Sequence, residues 1–222
     1  MKIAIDGPAG SGKSSLAREV ANRLEILYVD TGAMYRAITL KLLNINEKDF
    51  EDVLKKTEVS FKDDKVYLDG EDVSEKIREN EISNKTSEFS KKKIIRDYLV
   101  KMQREIAKEE DVVMEGRDIG SVVLPDAEYK FFLTADVKTR AMRRFKQIDS
   151  GKDNFDEILE DLKKRDYNDS HRENSPLIKM DDAILIDSTN MDAEETIDKI
   201  LSYIKRWFIL YSFVKVIVSV FV

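Results

Sequence analysis

The chain has 222 residues, of which 42% are hydrophobic and 37% are charged, and its 38 basic and 44 acidic side chains give a formal net charge of −6. That length is enough for one sizeable core with a small inserted subdomain, and the acidic balance argues against broad binding of nucleic acid. The lack of cysteine excludes disulfides and thiolate metal sites, and a single histidine excludes a multi-histidine metal centre.

The chain opens with a strand, a glycine-rich loop and a helix. The apolar run at residues 3–5 is typical of a buried parallel strand. The run is too short for a signal peptide, so we expect a cytoplasmic protein. After the loop, Leu16, Val20 and Leu24 recur at helical spacing and predict a helix with one apolar stripe. A second strand over residues 26–29 and a second helix follow.

The rest of the chain alternates strands and helices after a small insert. Apolar alternation over residues 59–73, with turn signals at Asp63-Asp64 and Asp69-Gly70, predicts an antiparallel insert that is too small to fold alone. Helical periodicity covers residues 94–106, 137–149, 155–168 and 193–206, and strand signals lie at residues 112–114, 129–133 and 183–186. This order predicts a three-layer α/β/α fold with a five-stranded parallel sheet.

The first strand is followed by Gly7-Pro8-Ala9-Gly10-Ser11-Gly12-Lys13-Ser14, which matches the phosphate-loop pattern G-x-x-x-x-G-K-[ST] without a mismatch. Glycines let the backbone N–H groups point inward, and the helix that follows adds the positive end of its dipole. Lys13 can then bridge the outer phosphates of a nucleoside triphosphate, and the Ser14 hydroxyl can ligate Mg²⁺. We predict that this loop and Ser15 bind the phosphate donor; a glycine-rich turn with an incidental lysine is the alternative.

Three further segments bring arginine to the same predicted edge of the sheet. They are Asp30-Thr31-Gly32-Ala33-Met34-Tyr35-Arg36 after the second strand, Glu115-Gly116-Arg117-Asp118 after the third, and the stretch from Arg165 to Arg172 with Asp169 inside it. Open α/β sheets bind ligands at this edge, and arginine matches the geometry of a phosphate. Glu115 lies where a carboxylate can hold water on Mg²⁺. The alternatives are an N-capping Thr31 with a surface Arg36, and a solvated helix face after Arg165.

Together these motifs resemble the bacterial cytidylate kinases, which phosphorylate CMP and dCMP with ATP. The family pattern D-[ST]-G-A-[MI]-Y-R appears at residues 30–36, [DE]-G-R-D-[IM]-G at 115–120 and R-D-x-x-D-x-x-R at 165–172, and the matches extend from residue 1 to about 205. The resemblance implies one P-loop kinase domain over residues 1–206, with a monophosphate-binding insert at about 31–108 and a short lid at about 146–156. It also implies ATP and Mg²⁺ as cofactors, CMP and dCMP as substrates, and a monomer.

The resemblance assigns a role to each motif residue. The acceptor nucleotide and its phosphate would be held by Thr31, Tyr35, Arg36 and Arg117. The cytosine edge would be read by Ser87, Arg96 and Asp118, and the ribose and phosphates would be met by Arg165, Asp169 and Arg172. The catalytic set would be Lys13, Arg117, Arg143, Arg165 and Arg172, and the metal would be held by Ser14 and Glu115. Cytosine offers an amine donor and a carbonyl acceptor, so a hydroxyl or carboxylate beside an arginine is complementary to it.

The implied chemistry needs no strong base, because the acceptor phosphate is already anionic near neutral pH. Catalysis is then positioning and charge neutralisation, which explains the many arginines. Arg140, Arg143 and Arg144 lie on the helix before the lid, and which of them reaches the transferring phosphate stays open. We expect Arg143 to do so, with a role on the helix surface as the alternative.

The last 16 residues, 207–222, are mostly apolar with Lys215 as their one charged residue, and they depart from the family pattern. They are fewer than the ~20 residues that span a bilayer, so we expect no membrane association. A peripheral anchor, a helix extension, an oligomer contact and an irregular end of the gene stay open.

Three other functions are alternatives to the one that the resemblance implies. A kinase for UMP or AMP differs only in its acceptor. A GTPase-like switch is disfavoured because Asn84-Lys85-Thr86-Ser87 has serine in place of the aspartate of the guanine motif N-K-x-D. A non-catalytic nucleotide sensor is disfavoured by the intact Lys13 and Ser14.

Overall fold

The computed structural model describes residues 1–62, 65–147 and 154–204. In chain order, the elements are β1 (Lys2–Asp6), α1 (Lys13–Leu24), β2 (Leu27–Asp30), α2 (Thr31–Leu42), α3 (Phe50–Leu54), β3 (Val59–Lys62), β4 (Lys65–Leu68), β5 (Glu71–Asp72), α4 (Asn80–Phe89), α5 (Lys93–Glu109), β6 (Val112–Gly116), β7 (Tyr129–Thr134), α6 (Val137–Gln147), α7 (Phe155–His171), β8 (Ile184–Asp187) and α8 (193–204). A π-helical turn, Ile119–Val123, follows β6.

The main sheet has the strand order β2-β6-β1-β7-β8, and each neighbouring pair is parallel. The middle of the central strand β1, residues 3–5, is apolar on both sides because helices cover both faces of the sheet. The five-stranded parallel sheet and the α/β class predicted from the alternating pattern are confirmed.

The core lies in two layers, one on each face of the sheet. Ile3 and Ile5 face α1 and α8, while Ala4 faces α2 and α5. This division follows from the period of two along a strand, which sends successive side chains to opposite faces. The carboxyl ends of β1, β2 and β6 meet at one edge, where the phosphate loop and both other motif segments begin.

The insert forms a second, antiparallel sheet with the strand order β3-β4-β5, as predicted for residues 59–73. Val59, Val66 and Leu68 are buried against α2 and α5, so the insert shares the core of the main domain. The predicted turn at Asp63-Asp64 lies outside the described residues.

Two local features differ from the sequence analysis. Helix α2 starts at Thr31, and its N-cap is Asp30 and not Thr31, because the Asp30 carboxylate accepts a hydrogen bond of 2.7 Å from the Ala33 N–H. Helix α4 was not predicted, since its sequence is mostly polar and buries few apolar side chains, Ile82 and Phe89 among them.

Two predictions fall largely on residues that the structure does not describe. Most of the expected lid at 146–156 and the whole tail at 207–222 lie outside the described ranges. Helices α6 and α7 flank the lid segment. Among the helices of the described residues, none combines the length and apolar character needed to cross a membrane.

Candidate active site

The phosphate loop curls between β1 and α1. Gly10 and Gly12 have φ values of 71° and 87°, which are favourable for glycine alone among common residues. A Cβ atom at Gly7 would lie 2.0 Å from the Leu133 carbonyl oxygen, so the loop passes too close to β7 for any side chain there.

Lys13 is buried, and its ammonium folds back over its own loop. Its Nζ donates to the Pro8 carbonyl at 2.7 Å and to the Ser11 hydroxyl at 3.3 Å. Burial, and then the positive charge of Arg117, lower the pKa of Lys13 to about 7, against the attraction of Glu115. Because a buried cation bound mainly to neutral oxygens is costly, an anionic ligand would stabilise it.

Two oxygen-bearing side chains lie beside this lysine, Ser14 on α1 and Glu115 near the end of β6. The Ser14 hydroxyl donates to Glu115 Oε1 at 2.5 Å, and the Tyr28 hydroxyl lies 3.4 Å from the same oxygen. Burial, and then the charge of Asp30, raise the pKa of Glu115. No group of three or more acidic or histidine side chains able to hold a metal occurs in the described part of the chain. A hydroxyl with one carboxylate nevertheless fits Mg²⁺, which completes its shell with water and substrate phosphates.

Charged residues from α5, β6 and α7 meet on the other side of the cleft. Arg117 Nε donates to Asp169 Oδ2 at 2.8 Å. The Arg96 guanidinium donates to the buried Asp118 carboxylate, and Arg172 Nη2 lies 3.3 Å from Asp118 Oδ1 as an ion pair without hydrogen-bond geometry. Five of the predicted substrate residues thus form two ion-paired groups, which meet at the consecutive residues Arg117 and Asp118.

Ser87 and Tyr35 flank this cluster. Ser87 is half-buried on α4, one turn before Ser90, whose carbonyl accepts a hydrogen bond of 3.3 Å from Arg96. The Arg96 guanidinium lies over the Tyr35 ring, 5.7 Å from its centroid. Burial raises the pKa of Tyr35 to about 12, and the positive charge of Arg96 opposes this rise.

Several buried donors in this region have no hydrogen-bond partner among the described residues. They are the Tyr35 hydroxyl, Arg36 Nε and Arg172 Nη2; the Gln103 amide on α5 is also unpartnered. Buried polar groups in folded proteins are nearly always bonded, so a concentration of free donors indicates a site that a ligand with acceptor oxygens fills.

Other predicted residues are engaged in contacts within the protein. The Thr31 hydroxyl donates to the Glu115 carbonyl at 2.7 Å and ties α2 to β6. Arg36 Nη2 donates to Asp30 at 3.2 Å. Arg143 donates to the Ser188 hydroxyl and carbonyl at 3.1 and 2.6 Å and to the Met191 carbonyl at 3.1 Å, so its guanidinium lies against the turn after β8.

Arg165 on α7 lies close enough to Arg144 on α6 for the two positive charges to repel. Dehydration, and then the positive charges of Arg144 and Arg117, lower the pKa of Arg165. This accumulation of cations next to the phosphate loop favours an anionic ligand.

Sequence reasoning missed a role for Asp6, the last residue of β1. Its carboxylate accepts hydrogen bonds from the Ile119 and Gly120 N–H groups at 2.8 and 2.7 Å, and so fixes the turn that follows Asp118. Burial raises the pKa of Asp6 to about 6, even though both backbone bonds favour the charged form. The sequence pattern that could have indicated this role is an acidic residue at the end of a buried strand. Asp166, which contacts the phosphate loop, was also missed.

Comparison with known proteins agrees with this geometry. A family model described as cytidylate kinase matches residues 3–206. The chain is 50% identical over 213 residues to a cytidylate kinase from Caldanaerobacter subterraneus subsp. tengcongensis, with 93% of this chain and 95% of that protein covered. It is 46% identical over 213 residues to a cytidylate kinase from Clostridium botulinum, with 93% and 98% covered.

Among solved structures, a shikimate kinase from Bacteroides thetaiotaomicron is similar with a TM-score of 0.50 at 11% identity, over 92% of this chain and 98% of that chain. At that identity the likeness concerns the fold alone.

Proposed function

The chain belongs to the cytidylate kinase family, and on this premise we propose which of its residues hold each substrate during phosphoryl transfer. It is a nucleoside-monophosphate kinase that converts CMP and dCMP to CDP and dCDP with ATP. The observation that carries the residue assignment is the group of buried donors of Tyr35, Arg36 and Arg172 that have no hydrogen-bond partner in the described part of the chain.

The donor ATP binds at residues 7–15. Inward N–H groups of the loop and the N-terminus of α1 hold its phosphates, and Lys13 exchanges its bonds to Pro8 and Ser11 for the outer phosphate oxygens. The negative charge of the phosphates then stabilises the ammonium form of this lysine. Ser14 and Glu115 would hold Mg²⁺, which supplies charge neutralisation on the phosphates when it is bound.

The acceptor CMP occupies the cluster on the other side of the cleft. Arg36, Arg117 and Arg172 hold its phosphate, and the free donor atoms of Arg36 and Arg172 find acceptors there. Cytosine lies between Ser87, Arg96 and Asp118, where the carboxylate accepts from the exocyclic amine and the arginine donates to the carbonyl. Thr31 acts by fixing the start of α2, since its hydroxyl is bonded to the backbone of β6.

Asp169 would accept from the ribose hydroxyls as well as from Arg117. Because that carboxylate also bonds Arg117, it links sugar recognition to the arginine that holds the phosphate.

Transfer itself requires the two phosphates to be held in line with their charge neutralised. Lys13, Arg117, Arg165 and Arg172 surround the transferring group and stabilise it. A contact of Arg143 with that group requires it to leave Ser188 and Met191, so this role stays a prediction for the closed state. Closure of the segment at about 146–156 would keep water from the phosphoryl group.

The remaining proposals concern the whole chain. We propose a single kinase domain over residues 1–206, which the family match over residues 3–206 supports, with the monophosphate-binding part at about 31–108. We also propose a monomer, since an active site made of β1, β2, β6 and α7 of one chain needs no second copy. We further propose that the protein is cytoplasmic and has no membrane contact.

A substrate panel tests the assignment of the acceptor. The full chain with ATP and Mg²⁺ is assayed for ADP release with CMP, dCMP, UMP, AMP and GMP, and Lys13→Ala serves as the inactive control. We expect the highest kcat/KM with CMP and dCMP. Equal kcat/KM values for UMP and CMP would remove Ser87, Arg96 and Asp118 as readers of the base.

A further inference from the structure

Helix α7 makes a direct contact with the backbone of the phosphate loop. The Ala9 N–H donates to Asp166 Oδ1 at 3.0 Å, and the Ala9 carbonyl accepts from Arg140 Nη1 at 2.7 Å. Arg140 Nη2 in turn lies 2.7 Å from Asp166 Oδ2. One residue of the loop is thus held at both its N–H and its carbonyl by an ion pair that bridges α6 and α7.

This ion pair is well suited to hold a backbone in one place. The Arg140 side chain is 6% exposed and that of Asp166 is 23% exposed, so solvent screens their attraction only weakly. Arg140 Nε is also fixed, by a hydrogen bond of 2.8 Å to the Ala135 carbonyl. Every nitrogen of the guanidinium therefore has a partner within the fold.

Apolar packing supports the same contact. Ala9, Ala141 and Leu162 form a small buried cluster between the loop, α6 and α7. A Cβ atom at Gly10 would lie 3.4 Å from a methyl group of Leu162, so the loop and the helix are already in close contact. The α6–α7 hairpin forms the outer wall of the phosphate loop.

The same helix is bound to the acceptor side one turn later. Asp169 lies three residues after Asp166 and accepts from Arg117 at the end of β6. Loss of the Asp166 contact would therefore release the donor loop while α7 remains attached through Asp169. Effects on the two substrates should then be separable.

We propose that Asp166 is a positioning residue for the phosphate donor, which with Arg140 fixes the Ala9 peptide and so the curvature of the phosphate loop. It acts on ATP through the loop and does not touch the nucleotide. This inference rests on the proposed function, because it takes the loop at residues 7–15 to be the ATP site.

The test compares Asp166→Ala and Asp166→Asn with Glu160→Gln, which removes a negative charge from the same helix at a side chain that is 70% exposed and paired with Lys163. We expect Asp166→Ala to raise the KM for ATP about tenfold, as for the loss of a charged hydrogen bond, with the KM for CMP changed less than about twofold. Asp166→Asn keeps one acceptor for Ala9 and should give a smaller rise. Glu160→Gln should match the wild type.

A second measurement separates positioning from a general loss of structure. Amide hydrogen exchange at Ala9 should accelerate in Asp166→Ala, while the exchange of β1 amides stays at the wild-type rate. Equal rises in both KM values, or an unchanged KM for ATP in both Asp166 variants, would overturn the inference. If Asp166→Ala does not fold, the Asp166→Asn values decide by the same criteria. A wild-type chain that does not transfer phosphate from ATP to CMP would instead contradict the proposed function.

Discussion

Replacing Tyr35 with phenylalanine should separate the stability of the fold from the binding of CMP. The Tyr35 hydroxyl is buried and has no hydrogen-bond partner among the described residues. A buried hydroxyl without a partner costs about 1–3 kcal/mol. Its removal in Tyr35→Phe should therefore leave the free energy of unfolding unchanged or raise it by about 1 kcal/mol.

The same change should weaken the complex with CMP. If the hydroxyl finds its partner in the acceptor nucleotide, a hydrogen bond to a charged phosphate contributes about 1.5–3 kcal/mol. Since 1.4 kcal/mol is a factor of about ten, the KM for CMP should rise at least about tenfold. The KM for ATP should stay at the wild-type value because the donor loop is unaffected.

Urea unfolding and steady-state kinetics measure both effects, with Tyr98→Phe as the matched control. The Tyr98 hydroxyl donates to the Thr57 carbonyl at 2.5 Å, so its loss should cost about 1 kcal/mol of stability and leave both KM values unchanged. If Tyr35→Phe lost as much stability as Tyr98→Phe while its KM for CMP stayed unchanged, the hydroxyl would have a partner within the fold and the reasoning would be refuted.

Four further predictions concern other residues of the site. Lys13→Ala should abolish turnover in the ADP-release assay while circular dichroism stays that of the wild type; wild-type activity would exclude the donor role. Arg36→Ala should raise the KM for CMP far more than that for ATP, and equal effects would count against its acceptor role. Ser87→Ala should lower the CMP-over-UMP preference by roughly tenfold to a hundredfold, from about 1–3 kcal/mol, and an unchanged ratio would remove Ser87 from the site. The raised pKa of Asp6 contributes stability that is fully present below its ordinary pKa of 3.8 and is lost as pH rises through about 6. The free energy of unfolding of the wild type, relative to that of Asp6→Asn, should therefore fall between these two pH values. A constant difference between the two proteins would contradict this prediction.

The sequence was most informative where chemistry depends on neighbours along the chain. The phosphate loop at residues 7–14 needs its glycines and lysine in a fixed order, so the spacing alone predicted a curled loop before a helix. Strand and helix periods predicted the parallel sheet and the antiparallel insert at residues 59–73. Each of these features arises from local backbone geometry, which a few consecutive residues determine.

Contacts between distant segments required the tertiary structure. Asp6 bonds to N–H groups more than a hundred residues away, and Asp166 reaches Ala9 across an even longer separation. Neither residue has a neighbouring pattern that indicates its partner, since an acidic side chain at a strand end or on a helix is usually solvated. Arg140, Arg143 and Arg144 also cannot be told apart from the sequence. In the structure Arg140 bonds to Ala9 of the phosphate loop and Arg143 bonds to Ser188, while Arg144 lies near Arg165.

The amino-acid sequence by itself therefore determined the class of fold, the donor loop and the set of residue types at the acceptor site. The tertiary structure decided which side chains are free to meet a ligand. Thr31 and Arg140 are bonded within the protein, whereas the Tyr35 hydroxyl and Arg36 Nε are buried donors without a hydrogen-bond partner among the described residues. The physical reason is that hydrogen-bond satisfaction depends on what surrounds a side chain in three dimensions, and packing between α7, β6 and the phosphate loop sets those surroundings.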